Sequence, residues 1–314
     1  MASNALGFLI LSVLRTFAWL YYLLPRPLRR VWSRSLAGFL RTLGFRAKVI
    51  RENIAIAYPG ESEQVRSQRA QLFKAAYRHL GQLFLEILML VGPMRRFVQH
   101  ESVLLGAEEN YFPAQRKGRG VILLSSHVGN WEVMGATGGV HAKIDPLFVT
   151  KLLKPAWMHR AIEKGRLACR VYGTYEPKTF RDVLKALKAG GAVGIVLDQF
   201  AGPPVGIRVP VFGVPVGTHA VIAMLVKRTQ APVIPVVNHR TPDGRFVVEM
   251  LPPLDWISHE DPNYELALNT ANYAKFLEGH IRQYPEQWLW SHRRFKGDLG
   301  PLREGEWFEG RARG

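Results

Sequence analysis

Short apolar segments alternate with helical patterns from Gly118 onward, and this alternation limits the chain to the α/β class of folds. Segments this short and this rich in β-branched residues are typical of buried strands. Strands are predicted at residues 121–124, 146–150, 168–172, 193–197, 233–237 and 246–251. Helices are predicted at residues 132–140, 154–166, 179–189, 218–229 and 263–284. We therefore expect a mixed sheet flanked by helices.

A long amphipathic helix is predicted ahead of this sheet, over residues 61–90. Its apolar residues recur at steps of three and four, which places them on one helix face. Gly92 and Pro93 end the helix, and the stretch up to Lys117 is predicted to be irregular. The chain then divides into an apolar anchor helix (1–25), a basic helical preface (26–117), an α/β core (118–300) and a basic tail (301–314).

The apolar segment at residues 5–24 is about long enough to cross the core of a bilayer. Arg15 lies in its middle, and a central arginine costs a spanning helix at least ~2.5 kcal/mol. A helix that lies tilted or in the membrane interface is therefore a second interpretation, and a buried core helix is a third. No Lys or Arg precedes the segment and no small-residue cleavage site follows it, so a retained anchor is predicted.

A run of basic residues follows this segment, and no acidic residue occurs before Glu52. The run comprises Arg26, Arg29, Arg30, Arg34, Arg41, Arg46, Lys48 and Arg51. Such a flank stays on the cytoplasmic side of a membrane and is attracted to anionic headgroups. The part of the chain that follows the anchor is therefore predicted to face the cytoplasm.

The formal net charge of +17 calls for an acidic partner. No zinc-ligand spacing or RNA-binding aromatic motif is present, which argues against nucleic acid. Anionic lipid or an acidic carrier protein fits an anchored chain better, and a basic surface that only aids solubility is the alternative. Cys169 is the only cysteine and the histidines form no close ligand pair, so no internal disulfide, metal or cofactor is expected.

His127 and Glu132 form the strongest candidate for catalysis. His127 follows a predicted strand, Gly129 allows a tight turn, and a helix is predicted to begin near Trp131. An imidazole there can take a proton from an attacking alcohol, while a carboxylate on its other ring nitrogen fixes the tautomer. We therefore predict that His127 is a general base oriented by Glu132. A buried structural histidine beside a solvent-facing glutamate is the alternative.

Further polar and cationic candidates lie outside this motif. Asp198 and Gln199 follow another predicted strand, where they would bind substrate or simply cap a turn. Residues 202–213, rich in Gly, Pro and apolar residues, would wall an acyl chain or form a packed loop. Arg166, Arg293 and Arg294 offer guanidinium groups for phosphate or carboxylate, with ordinary surface charge as the alternative.

Several separate motifs together resemble one known family, the lipid A biosynthesis lauroyl/myristoyl acyltransferases of Gram-negative inner membranes. The matching motifs are Arg51-Glu52-Asn53-Ile54 with Tyr58-Pro59, Ser126-His127-Val128-Gly129-Asn130-Trp131-Glu132, Asp198-Gln199, and Pro285-Glu286-Gln287-Trp288-Leu289-Trp290-Ser291-His292-Arg293-Arg294-Phe295-Lys296. The resemblance spans nearly the whole chain.

The resemblance implies transfer of a fatty acyl group from acyl carrier protein to a hydroxyl of a Kdo-bearing lipid A precursor. In that scheme His127 deprotonates the hydroxyl and Glu132 orients His127. Backbone amides near Gly129 and Asn130, or a nearby arginine, would hold the oxyanion. Asn130 itself, Arg166, Asp198, Gln199, Arg293 and Arg294 are the predicted substrate-binding residues. An acidic carrier and an anionic glycolipid would both suit the positive chain.

Two other hypotheses remain open from the sequence. One is acylation of another membrane glycolipid or aminolipid by the same residues, with a thioesterase side activity toward water. The other is a non-catalytic protein that recruits anionic lipid or carrier protein to a membrane surface, in which His127 and Glu132 are structural. A serine hydrolase is disfavoured because the chain lacks a Gly-x-Ser-x-Gly elbow.

Overall fold

The structure is a computed structural model that describes residues 2–297, 299 and 300. The helices in this part are α1 (Ala2–Leu23), α2 (Arg26–Thr42), α3 (Ala47–Ala57), α4 (Glu63–Ile87), α5 (Met94–Glu101), α6 (Phe112–Gln115), α7 (Trp131–His141), α8 (Ala156–Ala168), α9 (Thr179–Lys188), α10 (Val221–Thr229) and α11 (Pro262–Gln283). The strands are β1 (Ser102–Leu105), β2 (Val121–Ser125), β3 (Pro146–Val149), β4 (Tyr172–Thr174), β5 (Ala192–Val196), β6 (Gly206–Val211), β7 (Val214–His219), β8 (Val233–Arg240) and β9 (Phe246–Met250).

Seven of these strands form one mixed sheet in the order β1-β9-β8-β2-β5-β3-β4. The strands from β8 to β4 run parallel, whereas β9 runs antiparallel to β8 and parallel to β1. The predicted α/β class and mixed sheet are thus confirmed. Because β2 and β5 are parallel neighbours, their carboxyl ends lie at one edge of the sheet, where Ser125 pairs with Val196.

Alternate residues of β2 fill the core on opposite faces of the sheet, as the pleat requires. Ile122 and Leu124 pack in a cluster that includes residues of α9, α10 and α11. Val121 and Leu123 pack in a second cluster, which includes Met134 of α7. Full burial of each such side chain is worth about 1.5–3 kcal/mol, so both helical layers hold β2 and the residues that follow it in place.

Parts of the fold differ from the predicted elements. The stretch predicted to be irregular contains α5, α6 and β1, and β1 gave a weak pattern because it is an edge strand with Val103 and Leu105 exposed. Residues 168–172 were predicted as a strand, but α8 extends to Ala168 and β4 begins at Tyr172.

The hairpin β6–β7 was also absent from the prediction. Pro210 pairs with Pro215 across it, and proline weakens the sequence signal of a strand. Ile207, Val209 and Val211 of β6 are buried in the core, so this part of the segment is packed inside the protein, and its role as the wall of an acyl site stays a prediction. β7 extends to His219, and the helix predicted from residue 218 therefore begins at Val221.

The N-terminal helix α1 contains the one segment in the described part of the chain that is long and apolar enough to cross a membrane, Leu6–Leu23. Only 17% of this segment is buried inside the protein. Helices that span a membrane and helices that lie on its surface can both have the length and composition of this segment. The division into anchor, preface, core and tail stays a prediction, and the basic tail at 301–314 lies outside the described residues.

Candidate active site

His127 and Asp198 meet at the carboxyl edge of the sheet. Each residue lies two positions beyond the paired residues Ser125 and Val196, so the parallel register of β2 and β5 brings them together. The His127 backbone amide donates to Asp198 Oδ2 at 2.8 Å, and His127 Nδ1 lies 2.7 Å from Asp198 Oδ1. Ligand and catalytic sites of open α/β sheets lie at this edge.

Asp198 is buried and remains ionised because of its hydrogen bonds. Burial alone would raise its pKa, but the charge and hydrogen bonds of His127, with a further bond from Trp288 Nε1 at 2.6 Å, lower the pKa to about 2. A carboxylate on Nδ1 keeps the proton on that nitrogen. In the neutral ring, Nε2 of His127 then carries a lone pair, which is the form that a general base needs.

Gln199 lies against that second nitrogen. Its Nε2 atom is 3.2 Å from His127 Nε2, close enough to donate a hydrogen bond to the lone pair. The Trp131 ring and the imidazole also pack edge to face, with ring centroids 4.6 Å apart. The imidazole is therefore largely enclosed, and the Gln199 amide occupies the hydrogen-bonding position on Nε2.

The predicted orientation of His127 by Glu132 is wrong in this structure. Glu132 is held by Arg166, which donates from Nε at 2.9 Å and from Nη2 at 2.5 Å. Arg166 also donates to Thr150 Oγ1 at 3.3 Å. Glu132 lies one residue inside the start of α7, and the two-pronged guanidinium of Arg166 matches its carboxylate. The adjacent strand β5 supplies Asp198 to His127 instead.

The predicted roles of Asn130 and of the amides around it also need correction. Asn130 is fully buried, and its Oδ1 caps α7 by accepting from the amides of Glu132 and Val133. Its own amide donates to Asn238 Oδ1 at 3.0 Å, and the Gly129 amide donates to Gln287 O at 2.9 Å. Asn130 is therefore a helix cap, and neither of these two amides is available for an oxyanion.

Gly129 permits this tight packing. Its φ angle is +66°, and an added Cβ would lie 2.2 Å from Asn238 Oδ1. A larger residue would be strained by its backbone angle and would collide with the side chain that receives the Asn130 amide. The turn between His127 and α7 is thus fixed from both sides.

The two C-terminal arginines have different surroundings. Arg294 is buried and donates through Nη1 to Gln199 O and Gly217 O, both at 2.8 Å, and through Nη2 to Thr218 Oγ1 at 2.6 Å. Burial lowers the pKa of Arg294 to about 10. Arg294 was predicted to bind substrate, but its guanidinium instead supports the backbone beside Asp198. Arg293 is exposed and stays a predicted anion-binding residue.

Several residues that support the site were missed by sequence reasoning. Glu86 of α4 forms a buried ion pair with Arg240 of β8 and accepts from Asn130 Nδ2 at 3.1 Å. The sequence signal for Glu86 was its place on the apolar face of the predicted helix, three residues after Leu83. Trp288 lies in a motif that the resemblance had marked, but the sequence gives no sign that its indole reaches Asp198.

The remaining candidates for metal or thiol chemistry are few in the part of the chain that the structure describes. No group of three or more His, Cys, Asp or Glu residues there is arranged to hold a metal ion. Cys169 is buried, and burial raises the pKa of its thiol to about 11. The thiol is therefore protonated at neutral pH and is a poor nucleophile.

The arrangement is of the kind with which a histidine can activate the hydroxyl of a substrate. His127 is held by a carboxylate on one nitrogen, and within the described residues no serine or cysteine is hydrogen-bonded to the other. The chain belongs to the bacterial lipid A biosynthesis acyltransferase family, whose family model matches residues 3–297. The resemblance drawn from the sequence motifs is thereby confirmed.

Individual members of this family are similar over most of their length. The chain is 29% identical over 290 residues to the lipid A biosynthesis lauroyltransferase of Escherichia coli (strain K12), with 88% of each protein covered. It is 24% identical over 286 residues to the lipid A biosynthesis palmitoleoyltransferase of the same strain, again with 88% of each covered. A lipid A biosynthesis acyltransferase of Shigella flexneri has the same identity and coverage.

Proposed function

We propose that the protein transfers a fatty acyl group from acyl carrier protein to a hydroxyl of a Kdo-bearing lipid A precursor, with His127 as the general base. The observation that carries the proposal is the contact of His127 Nδ1 with Asp198, which makes Nε2 the ring nitrogen that accepts a proton. Family membership supports a fatty acyl group and a lipid A type of acceptor.

In the proposed reaction His127 Nε2 takes the proton of the acceptor hydroxyl as its oxygen attacks the carbonyl carbon of the thioester. The new carbon–oxygen bond gives a tetrahedral intermediate, and its collapse breaks the carbon–sulfur bond. The leaving thiolate receives the proton from the His127 imidazolium. Asp198 stays ionised throughout and stabilises that imidazolium. A base in this position contributes about 10²–10⁴-fold to the rate.

The Glu132–Arg166 pair has a supporting part in this proposal. Arg166 connects Glu132 at the start of α7 with Thr150, the residue that follows β3. Both connected segments begin at the same sheet edge as His127. We infer that the pair holds one side of the entrance to the site, where an approaching phosphate would find a guanidinium already fixed in place.

The charge of the chain supports the proposed donor and acceptor. Acyl carrier protein is acidic and the lipid A precursor carries phosphates, whereas the chain has a formal net charge of +17. Opposite charge raises the rate of encounter with both substrates. The exposed Arg293 lies next to the site-supporting Arg294 and is our candidate for an anion contact. The proposed location is the inner membrane with the catalytic part facing the cytoplasm.

A mass-spectrometric transfer assay tests the proposal. Purified protein in detergent is given acyl carrier protein thioesters of several chain lengths and a Kdo-bearing tetraacyl lipid A precursor. We expect a mass gain of one acyl chain that His127→Ala reduces by about 10²-fold or more. His259→Ala, which removes an exposed histidine, is the matched control and should keep full activity.

The other hypotheses give different results in the same assay. Transfer to another glycolipid or aminolipid, but not to the lipid A precursor, would replace the proposed acceptor. Release of free fatty acid with no acylated lipid would indicate a thioesterase. Absence of any turnover from folded wild-type protein that still binds vesicles would contradict the catalytic proposal and favour the recruiter.

A further inference from the structure

Helix α1 lies along the body of the protein over most of its length. Near its start, Gly7 approaches the Trp157 ring so closely that an added Cβ would lie 2.7 Å from Trp157 Cδ1. Near its end, Tyr21 is 5% exposed and Tyr22 Oη lies 3.0 Å from His100 Nδ1. The distance along the helix from Gly7 to Tyr22 is about 22 Å at a rise of 1.5 Å per residue.

The charge in the middle of α1 is turned toward this body. Arg15 Nε donates to Val91 O at 3.1 Å, on the side of the helix that contacts the protein. The opposite side is apolar and exposed along the helix. Its large exposed residues are Leu6, Phe8, Leu9, Ile10, Val13, Trp19, Leu20 and Leu23. Arg15 thus places no charge on the outward side.

A spanning orientation of α1 conflicts with the residues beside it. Lys154 and Arg160 are exposed near the Gly7 end, on either side of Trp157. At the other end the Arg96 guanidinium lies over the Trp19 ring, 5.4 Å from its centroid. If α1 crossed the bilayer while packed in this way, charged residues next to it would enter the hydrocarbon, where each is costly.

Helix α2 has a second exposed apolar stripe. Leu28, Val31, Trp32 and Phe39 are all about half exposed or more, and Ser35 lies between them at the same helical spacing. The opposite side of α2 is buried. It carries Ser33 and Ala37 against α4, where Gly81 allows the close approach. An exposed stripe of this kind opposite a packed face has no partner within the described protein.

The two stripes belong to one surface. Trp32 of α2 meets Phe17 of α1 edge to face, with ring centroids 5.8 Å apart. At the far end of α1, Trp157 follows a loop in which Leu152 is 65% and Leu153 is 38% exposed, between the exposed Lys151 and Lys154. Arg34 and Arg41 are exposed on α2, so cations occur with the apolar residues at both ends.

We propose that α1, the outer stripe of α2 and Leu152-Leu153 form one membrane-binding surface that enters a single leaflet, with α1 lying along the membrane and not crossing it. The occupant of the surface is a bilayer that contains anionic lipid. Apolar side chains insert at the level of the headgroups while Arg34, Arg41, Lys151 and Lys154 meet lipid phosphates. This inference rests on the membrane location proposed above but not on the reaction.

Cysteine labelling in cells tests the orientation of α1. Ser3→Cys is made in full-length protein that carries Cys169→Ser, and intact spheroplasts are treated with a membrane-impermeant maleimide. We expect Ser3→Cys to react only after the membrane is opened, as the matched control Ser67→Cys on the exposed part of α4 should. Reaction of Ser3→Cys, but not of Ser67→Cys, in intact spheroplasts would overturn the proposal.

A fluorescence measurement tests the stripe of α2. The same Cys169→Ser protein with Ser35→Cys or Ser67→Cys is labelled with an environment-sensitive dye and reconstituted into phosphatidylethanolamine–phosphatidylglycerol vesicles. Lipid-borne nitroxide should quench the dye at residue 35 several-fold more than the dye at residue 67, and equal quenching would overturn the proposal. Acyl transfer is measured on the same samples. Loss of acyl transfer, with the expected maleimide labelling and quenching both retained, would count against the proposed reaction and not against the membrane-binding surface.

Discussion

Asp198 binds His127 twice, through the backbone amide at 2.8 Å and through ring Nδ1 at 2.7 Å. One carboxylate therefore fixes both the position of the residue and the tautomer of its ring. The indole of Trp288 donates to the same carboxylate, so all three groups depend on one buried charge. In the proposed reaction, Nε2 is thereby the proton acceptor.

Gln199 should suppress reaction with water. Its amide lies on the lone pair of His127 Nε2, so Gln199→Ala uncovers the base when no acceptor lipid is bound. We expect faster hydrolysis of acyl carrier protein thioester without acceptor, measured as free thiol released. Gln71→Ala, an exposed change on α4, should leave that rate unchanged. Unchanged or slower hydrolysis in Gln199→Ala would contradict the shielding role.

Glu132 and Arg166 should be energetically coupled. Their hydrogen bonds of 2.9 and 2.5 Å are partly buried, so Glu132→Gln leaves the guanidinium without its counter-charge. In a double-mutant cycle with Arg166→Gln, we expect a coupling of about 0.5–3 kcal/mol in the free energy of unfolding. Additive effects of the two substitutions would show that the pair does not exist in solution.

Glu86 should be needed for stability. Its carboxylate neutralises the buried Arg240 and also binds the Asn130 side chain that caps α7. Glu86→Gln leaves a buried guanidinium uncompensated, at a cost of about 3 kcal/mol in the free energy of unfolding measured by urea titration. Glu63→Gln, an exposed change in the same helix, should cost less than about 1 kcal/mol. Equal costs would contradict the supporting role of Glu86.

His280 should make the fold sensitive to mild acid. It is 7% exposed, neither ring nitrogen has a hydrogen-bond partner among the described residues, and burial with the nearby His239 lowers its pKa from 6.5 to about 4. The unfolded chain therefore binds more protons between these two values. The stability linked to His280 is complete above pH 6.5 and is lost as the pH falls toward 4, by roughly 3 kcal/mol.

The variant His280→Leu tests this pH dependence. Its free energy of unfolding should fall less than that of the wild type between pH 6.5 and pH 4, because it has no proton to bind there. His259→Leu, which removes an exposed histidine, should follow the wild type. If His280→Leu also followed the wild type, the acid sensitivity would not come from His280.

The sequence was sufficient to predict the central sheet and the edge of it at which His127 and Asp198 lie. Buried strands such as β2, β5 and β8 carry continuous apolar runs, and His127 and Asp198 each follow one of them. The edge strand β1 and the proline-containing hairpin β6–β7 lack that signal. Local periodicity detects burial, so exposed or interrupted strands escape it.

The pairing within the site could not be predicted, for a different reason. The position of β5 next to β2 decides which carboxylate reaches His127. The local sequence does not determine the order of the strands in the sheet. Glu132 is close to His127 in the chain, but it follows the start of α7 and pairs with Arg166 from α8. Asp198 is far away in the chain and adjacent in space.

The most direct test of this account is the rate of acyl transfer by Asp198→Asn under saturating substrate. An amide cannot hold the His127 ring in the same tautomer, so we expect the rate to fall by at least about 10²-fold. The Asp198→Asn variant should still show an unfolding transition above pH 5. The exposed change Asp255→Asn should transfer at the wild-type rate. Wild-type transfer by folded Asp198→Asn would contradict the central claim that Asp198 orients His127 for catalysis.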